Sequence, residues 1–202
     1  MKAKHEVLIC QKKYSNDILK KFKLKECKEV STPMNQNEKL CKEDGVDKVD
    51  EGYFRSLIGC LMYLTATRPD ILNVVSILSQ FMHCANELHL KTAKRVVHYI
   101  NASSNFGVKF TRSKEFKLVG LSGSDWGGSI DHMRSTSGYC FTFGYGAFSW
   151  SSKKQETVAQ STAEAEFKES TKIFIDNQDA ITILTNQYFM GSLRNFNIKL
   201  SF

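Results

Sequence analysis

The sequence contains no long apolar run and no cleavable leader pattern. A membrane-spanning helix needs about 18 to 20 consecutive apolar residues, and no stretch of this 202-residue chain approaches that length. The N-terminal residues MKAKHEVLICQKK also lack the apolar core of about 7 to 15 residues that a secretory signal peptide carries. We therefore expect a protein without a membrane segment that stays inside the cell, in the cytoplasm or the nucleus.

The cysteines and histidines are too dispersed to form a metal-binding motif. None of the six cysteines forms a Cys-x-x-Cys pair, and the five histidines show no zinc-site spacing. The pattern predicts reduced cysteines that fill space between packed elements, and it excludes a zinc finger.

The chain is basic and has enough apolar residues to build a core. It has 28 Lys and Arg against 21 Asp and Glu, for a net charge of +7 and a pI near 9.0. This balance suits an anionic partner, although many soluble proteins share it. The 42% of hydrophobic residues excludes the disordered class.

The first half of the chain has helical periodicity. Residues 30–52 interrupt it, because they are polar, include Pro33 and Gly45, and predict an irregular arm. Four groups of apolar residues recur at helical spacing: Tyr14, Ile18, Leu19 and Phe22; Tyr53, Leu57, Cys60, Leu61 and Leu64; Ile71, Val74, Val75, Leu78, Phe81 and Met82; and Leu90, Ala93, Val97 and Ile100.

The second half has the pattern of strands followed by a helix. The strand-like runs are Val108 to Thr111, Lys117 to Ser122, Tyr139 to Phe143 and Ala147 to Ser151. Gly144-Tyr145-Gly146 predicts a hairpin turn, and strict alternation places Phe148 and Trp150 on one sheet face. Ser161 is predicted to cap a helix whose first turn is acidic.

A row of cations recurs at helical spacing near residue 95. Lys91, Lys94, Arg95 and His98 lie at i, i+3, i+4 and i+7, so one helix face carries all four. Such a row can follow a phosphate backbone, and Lys153 and Lys154 would add two further cations. The alternative is an ordinary solvated helix face.

Several long strings resemble the Pol polyprotein of copia-type retrotransposons. They cover nearly the whole chain: VSTPM at Val30 to Met34, YFRSLIGCLMYLTATRPDI at Tyr53 to Ile71, TAKRVVHYI at Thr92 to Ile100, SDWGGS at Ser124 to Ser129, RSTSGY at Arg134 to Tyr139, and SWSSKKQETVAQSTAEAEF at Ser149 to Phe167.

The resemblance implies an α+β chain in three parts. Residues 1–52 would be a remnant of the reverse transcriptase thumb with an irregular arm, and 53–107 a helical connection segment. Residues 108–202 would be an incomplete ribonuclease H-like domain with a mixed sheet and helices, internally deleted and truncated at its C-terminus. The sequence has no adjacent Asp-Asp pair, so the polymerase palm is expected to be absent.

The family's ribonuclease H site holds two Mg²⁺ ions, which need several carboxylates to offset their mutual repulsion. By resemblance, Glu166 and Asp176 match the helix ligand and the third ligand. Gly123 stands where the strand ligand is expected, and Asn197 where the late acidic residue is expected. Two of the four expected ligands are therefore lost, and tight Mg²⁺ binding is not expected.

Asp125 is a doubtful replacement for the lost strand ligand. It lies two residues from Gly123 and therefore about 6 to 7 Å along the strand. Catalytic sites tolerate errors of only about 0.5 Å. Structural roles remain open: Asp125 as a turn cap, Glu166 beside its helix dipole, and Asp176 as a helix cap.

We expect a retroelement fragment that lacks catalytic activity and binds duplex nucleic acid or an RNA–DNA hybrid weakly. A crossover between parallel strands usually needs ten or more residues, but only Lys168 to Lys172 separate Phe167 from the next strand-like run. Two alternatives stay open. One is an active metal-dependent ribonuclease H, and the other is a translated relic without a role.

Overall fold

The computed structural model describes residues 2–3, 6–35, 38–42, 45–112 and 118–167. These residues form two compact units, one drawn from residues 2–110 with 129–131 and the other from residues 111–128 and 132–167. The architecture contains helices and two small sheets, so the predicted α+β class is confirmed. Among the described helices, none combines the length and apolar character that a membrane crossing needs.

Helices dominate the first unit. They are α1 (Lys12–Lys21), α2 (Glu51–Leu64), α3 (Leu72–Ser79) and α4 (Glu87–Ala102), and a 3-10 turn at Pro69–Ile71 precedes α3. Strands β1 (Lys2–Ala3), β2 (Glu6–Ile9) and β3 (Val108–Thr111) form a sheet in that order. Gly107 permits β3 to approach β2, because a Cβ there would lie 2.2 Å from the Ile9 carbonyl oxygen.

The four helices enclose one apolar core. The predicted inward residues of α1, α3 and α4 are buried or packed against that core. In α2 the buried face is wider than predicted. Phe54 and Ile58 are fully buried, while Tyr53 is 36% exposed and packs edge-on against Phe22. The reason is that α2 contacts α1, α3 and α4, so more than one helical stripe is covered.

Side chains cap the N-terminal ends of α2 and α4. The Asp50 carboxylate accepts hydrogen bonds from the backbone N–H groups of Gly52 (2.7 Å) and Tyr53 (3.2 Å). At α4, the Asn86 side chain accepts from His89 N (2.9 Å), and His89 Nδ1 accepts from Asn86 N (3.2 Å). Histidine thus replaces the usual Glu or Gln of a capping box.

The second unit contains three strands and a short helix. Strands β4 (Leu118–Asp125), β5 (Thr136–Phe143) and β6 (Gly146–Lys154) form an antiparallel sheet in that order, and α5 (Thr162–Phe167) follows. The β5–β6 hairpin turns at Gly144, whose positive φ of 59° favours glycine. Ser161 caps α5 as predicted, since its Oγ accepts from Glu164 N at 3.1 Å.

A β-bulge at Phe148 changes which side chains share a face of this sheet. Phe141 pairs with Ser149 and Thr142 pairs with Ala147, so Phe148 is an extra residue in β6. Its ring contacts Phe141, whereas Trp150 pairs with Cys140 and faces the other side. The prediction that Phe148 and Trp150 share one face is therefore wrong, because strict alternation takes no account of a bulge.

A buried arginine connects the 3-10 turn to the end of α4. Arg68 is 2% exposed, and it donates to both carboxylate oxygens of Asp70 (2.9 and 2.7 Å). It also donates to the carbonyl (3.1 Å) and hydroxyl (2.7 Å) oxygens of Ser103, which caps α4. The guanidinium therefore offsets the negative end of the helix dipole as well as the Asp70 charge.

Arg68 also sets the ionisation of Asp70. Burial alone would raise the pKa of this carboxyl, but the hydrogen bonds and charge of Arg68 outweigh it. Tyr99 adds a hydrogen bond to Asp70 Oδ2 at 2.9 Å, and the net pKa of Asp70 falls below its ordinary value of 3.8. Asp70 therefore stabilises the first unit above about pH 4.

We predict that Asp70→Asn lowers the unfolding free energy of the first unit by about 3 kcal/mol at neutral pH, because Arg68 would stay buried without its charge partner. The difference from the wild type should shrink below about pH 4, as the wild-type carboxyl protonates through its lowered pKa. Urea titrations followed by helical circular dichroism, at neutral pH and below pH 4, measure the unfolding free energy of both proteins. Glu51→Gln is the matched control, because its partner Arg55 is 46% exposed and the change should cost about 0.5 kcal/mol or less. Equal losses in the two variants would contradict the prediction.

Candidate nucleic-acid interface

The four predicted contact residues of α4 line one side of that helix. Ala93, Val97 and Ile100 pack into the core on the other side. Lys91 is exposed, whereas Lys94, Arg95 and His98 are half-buried. Part of this face is therefore covered, and whether it contacts nucleic acid or is only solvated stays a prediction.

The segment that covers part of this face of α4 is the arm, which we define as the described residues between 30 and 50. It contains no helix or strand, and backbone hydrogen bonds from Val49 N to Ala85 O (3.1 Å) and from Glu87 N to Asp47 O (3.0 Å) attach it to the start of α4. Side chains attach it along the helix, since Thr92 Oγ1 donates to Glu38 Oε1 at 2.7 Å. The arm and α4 thus form the two walls of one surface feature.

A groove of about 860 Å³ separates the arm from α4. All four predicted contact residues lie on it. The lining residues are Val30, Asn35, Glu38, Val46, Val49, Glu87, Leu88, Leu90, Lys91, Thr92, Lys94, Arg95 and His98. Its volume lies in the range of about 300 to 1,000 Å³ that is usual for ligand sites.

The described residues that line the groove include three cations, Lys91, Lys94 and Arg95, and two carboxylates, Glu38 and Glu87. No described carboxylate lies within ion-pairing distance of Lys91, Lys94 or Arg95. Glu38 accepts instead from two uncharged side chains, Thr92 and Asn35. Arg95 donates through Nη2 to Thr32 Oγ1 at 2.9 Å, while its buried Nε–H has no acceptor among the described residues.

His98 does not add a cation at neutral pH. Burial lowers its pKa below 6.5, and the positive charges of Arg95 and Lys94 lower it further. The predicted row of four basic residues therefore supplies three charges.

Lys153 and Lys154 are consecutive residues at the end of β6 in the second unit. Because strand side chains alternate, they point to opposite faces of the sheet. Lys153 Nζ lies 3.9 Å from Glu156 Oε1, and both side chains are highly exposed. The two lysine side chains therefore start from opposite sheet faces, and a contact of either with nucleic acid stays a prediction.

The expected strand position for a metal ligand is occupied by a glycine in open space. Gly123 lies in β4 opposite Gly138, and a Cβ at Gly123 would meet no atom within 4 Å. The next candidate, Asp125, is the last residue of β4. Its Oδ1 accepts the backbone N–H of Thr136, and its Oδ2 would lie 1.9 Å from a Cβ at Gly128. This carboxylate is therefore folded over the turn that follows β4.

Gln155 connects the sheet to α5 and was not predicted as a site residue. It is 4% exposed, and its Nε2 donates to Ser137 Oγ and to the Ala165 carbonyl, both at 2.6 Å. Ser137 in turn donates to Ser124 (3.5 Å), so α5 lies on the face of the sheet that carries Ser124. By alternation, Gly123 and Asp125 face the opposite side. The only sequence signal for Gln155 is its position directly after a strand.

The structure describes little of the remaining predicted metal ligands. Glu166 belongs to the second turn of α5, but its side chain lies outside the described part of the chain, and Asp176 and Asn197 lie outside it entirely. Among the described residues, no three His, Cys, Asp or Glu side chains are grouped to hold a metal. The expectation about Mg²⁺ stays a prediction, because the Glu166 side chain and all of Asp176 lie outside the described residues.

The sequence is similar to several curated proteins. It is 36% identical to the retrovirus-related Pol polyprotein from transposon RE1 of Arabidopsis thaliana, over 177 residues or 88% of this chain. The corresponding polyprotein from transposon RE2 of the same organism is 34% identical over 177 residues. Secreted RxLR effector protein 161 of Plasmopara viticola is 44% identical over 115 residues, 56% of this chain and 81% of that protein.

The matches to the two polyproteins cover 12% of the length of each. No family model and no solved structure matches the sequence. The similarity to the transposon polyproteins extends across both units, because it spans 88% of the chain. The chain belongs to the family of retrovirus-related Pol polyproteins of copia-type retrotransposons.

Proposed function

We propose that the chain is a fragment of the reverse transcriptase and ribonuclease H part of a retroelement polyprotein, and that it binds nucleic acid without cleaving it. The observation that carries the binding proposal is a group of three cations on α4 that form no ion pair with a described carboxylate. Lys91, Lys94 and Arg95 lie within five residues of one helix, and no described carboxylate pairs with them. Phosphates are the natural counter-charge for such a group.

The expected affinity is weak and independent of sequence. Contacts between cations and phosphates release counterions, so binding weakens as salt rises, and dissociation constants of about 10⁻⁴ to 10⁻⁶ M are usual at physiological salt. Each cation makes its own phosphate contact, so the loss of one cation does not abolish the contacts that the others make. Nucleic-acid binding is therefore the function of this fragment most tolerant of sequence change.

Hydrolysis by two metal ions, unlike binding through separate phosphate contacts, is lost when any one ligand is missing. Every ligand must hold its position within about 0.5 Å. Gly123 supplies no ligand, and the Asp125 carboxylate is held by Thr136 N–H over the adjacent turn. Asp125 also faces away from α5, the helix that carries Glu166. These positions support the proposed loss of hybrid cleavage.

The binding proposal predicts that Lys91→Ala/Lys94→Ala weakens binding of a labelled duplex about tenfold or more at low salt. The slope of log K against log salt should fall by up to two phosphate contacts, at about 0.9 per contact. Fluorescence anisotropy across a salt series measures both quantities. Lys12→Ala/Lys13→Ala is the matched control, because it removes the same charge from exposed positions of α1 that do not line the groove.

Two results would contradict this prediction. Equal weakening in both double variants would mean that net charge alone drives association. An unchanged slope in Lys91→Ala/Lys94→Ala would mean that this face of α4 is only a solvated surface. Circular dichroism melts should superimpose for all three proteins, so that a loss of folding is not mistaken for a loss of contacts.

For catalysis, we expect no cleavage of an RNA–DNA hybrid by the purified chain in Mg²⁺ or Mn²⁺ above the level of a Glu166→Gln variant. The physical reason is the missing ligand at Gly123. A gel assay of an end-labelled hybrid measures it. Cleavage that disappears in Glu166→Gln would establish an intact site and overturn this part of the proposal.

The structural role of Asp125 can be tested separately. Asp125→Asn should destabilise the second unit by about 1 kcal/mol, because the Thr136 N–H would lose a charged acceptor. The loss should be the same with and without Mg²⁺. Both tryptophans, Trp126 and Trp150, belong to the second unit, so their fluorescence in a urea titration follows that unit. Asp17→Asn on the exposed side of α1 is the control. Stabilisation by Mg²⁺ that is absent from Asp125→Asn would instead identify Asp125 as a metal ligand.

A further inference from the structure

The last turn of α1 places a lysine amine beside a thiol of α2. Lys21 Nζ donates to Ser56 Oγ at 2.9 Å and to Cys60 Sγ at 3.7 Å. Ser56 and Cys60 lie four residues apart and therefore on the same face of α2, so one amine contacts both. The amine also lies 5.2 Å from the centroid of the Phe22 ring. These contacts hold Lys21 Nζ near a sulfur atom that lies 39 residues later in the chain.

Tyr14 of α1 contacts the same thiol. Burial raises the pKa of Tyr14 to about 12, and a hydrogen bond to Cys60 and the Cys60 charge also raise it. Tyr14 therefore keeps its proton across the physiological pH range and remains a donor towards the sulfur. Cys60 packs against the core but is only partly buried, so a small oxidant has access to the sulfur from solvent.

The Lys21 amine is not held by an ion pair in the part of the chain that the structure describes. A nearby carboxylate would favour the charged form of a lysine, which is not a nucleophile. The hydrogen-bond partners of Lys21 are instead a hydroxyl and a thiol. The site thus places a nucleophilic nitrogen and an oxidisable sulfur, from two different helices, within contact distance.

We propose that Lys21 and Cys60 form a covalent nitrogen–sulfur bridge when the chain meets a peroxide. The peroxide O–O bond breaks as an S–O bond forms, so hydrogen peroxide is reduced to water and the Cys60 thiol is oxidised to a sulfenic acid. The neutral Lys21 amine then attacks this sulfur, and the hydroxyl leaves as water with one proton of the amine. The product is a sulfenamide. Two molecules of an added thiol reverse the step, because they reduce the S–N bond to thiol and amine and become a disulfide.

The fold favours this bridge over the other fates of a sulfenic acid, which are condensation with a second thiol and further oxidation. Lys21 Nζ already lies in contact with the sulfur, and the lysine stem is flexible enough to close the remaining distance. The bridge would join α1 to α2. It is independent of the proposed nucleic-acid binding, since neither Lys21 nor Cys60 lines the groove.

The test treats the purified full chain with hydrogen peroxide at mildly alkaline pH, where a larger fraction of lysine amines is neutral. Proteolysis and mass spectrometry should then find a linked pair of peptides, one containing Lys21 and the other Cys60. The mass of the pair should be about 2 Da below the sum of the two peptides, and dithiothreitol should separate them. The yield of the pair should fall about tenfold or more in denaturing urea, because the proximity depends on the fold.

Two variants of equal charge serve as test and control. Lys21→Arg should abolish the linked pair, since a guanidinium stays charged and is not a nucleophile, and Cys60 should go on to a sulfinic acid. Lys20→Arg, on the adjacent exposed position of α1, should keep the pair. Circular dichroism melts of the three untreated proteins should superimpose. Oxidation should raise the Tm of the wild type by several degrees and leave that of Lys21→Arg unchanged, because a cross-link restricts the unfolded chain.

Two results would overturn the inference. One is recovery of Cys60 from the oxidised wild type as a disulfide or a sulfinic acid, with no linked pair. The other is an equal yield of the pair in native buffer and in urea, since the fold would then contribute nothing to the reaction. Neither result bears on the binding of nucleic acid by α4, so the two proposals fail or stand separately.

Discussion

The buried guanidinium of Arg68 connects the C-terminal end of α4 to the 3-10 turn, and the first unit is built around that helix. An arginine that is 2% exposed must have both its charge and its donors satisfied, since an unpaired charge in a core is very costly. Asp70 supplies the charge, and Ser103 supplies two acceptors at the C-terminal end of α4. At the other end, the reciprocal bonds between Asn86 and His89 fix the first turn. With both ends fixed, the face of α4 that meets the arm is fixed as well.

The groove follows from this arrangement. The arm has no helix or strand of its own, so its position depends on contacts with α4 and the preceding loop, including Val49 with Ala85 and Glu38 with Thr92. Glu38 is the one carboxylate that the arm brings against the middle of α4, and its oxygens accept from Thr92 and Asn35. Glu38 forms no ion pair with Lys91, Lys94 or Arg95, so these three side chains stay available to an anion. The same packing that builds the groove leaves it basic.

Sequence periodicity predicted the elements better than it predicted their contacts. The helical spacing from Leu90 to Ile100 correctly assigned the core face of α4, because that signal is local. The partial burial of the opposite face was not predictable, since it depends on Thr32 and Glu38 far away in the chain. The neutral state of His98 has the same origin, because its pKa depends on burial and on neighbouring charges. The bulge at Phe148 was also missed, because a single inserted residue leaves no mark on the composition of a strand.

The helix of the second unit is attached to the sheet by residues outside the expected metal-ligand positions. Gln155 links Ser137 of β5 to the carbonyl of Ala165, so α5 is attached to the sheet through neutral hydrogen bonds that involve none of the expected metal ligands. A cluster of carboxylates at a metal site destabilises the protein without its ions, because like charges repel at short range. Glycine at position 123 removes one such charge, and its ordinary strand conformation and open surroundings impose no packing cost. The hydrogen bonds that attach α5 to the sheet are thus independent of the charge at position 123, and a change of that charge leaves them in place.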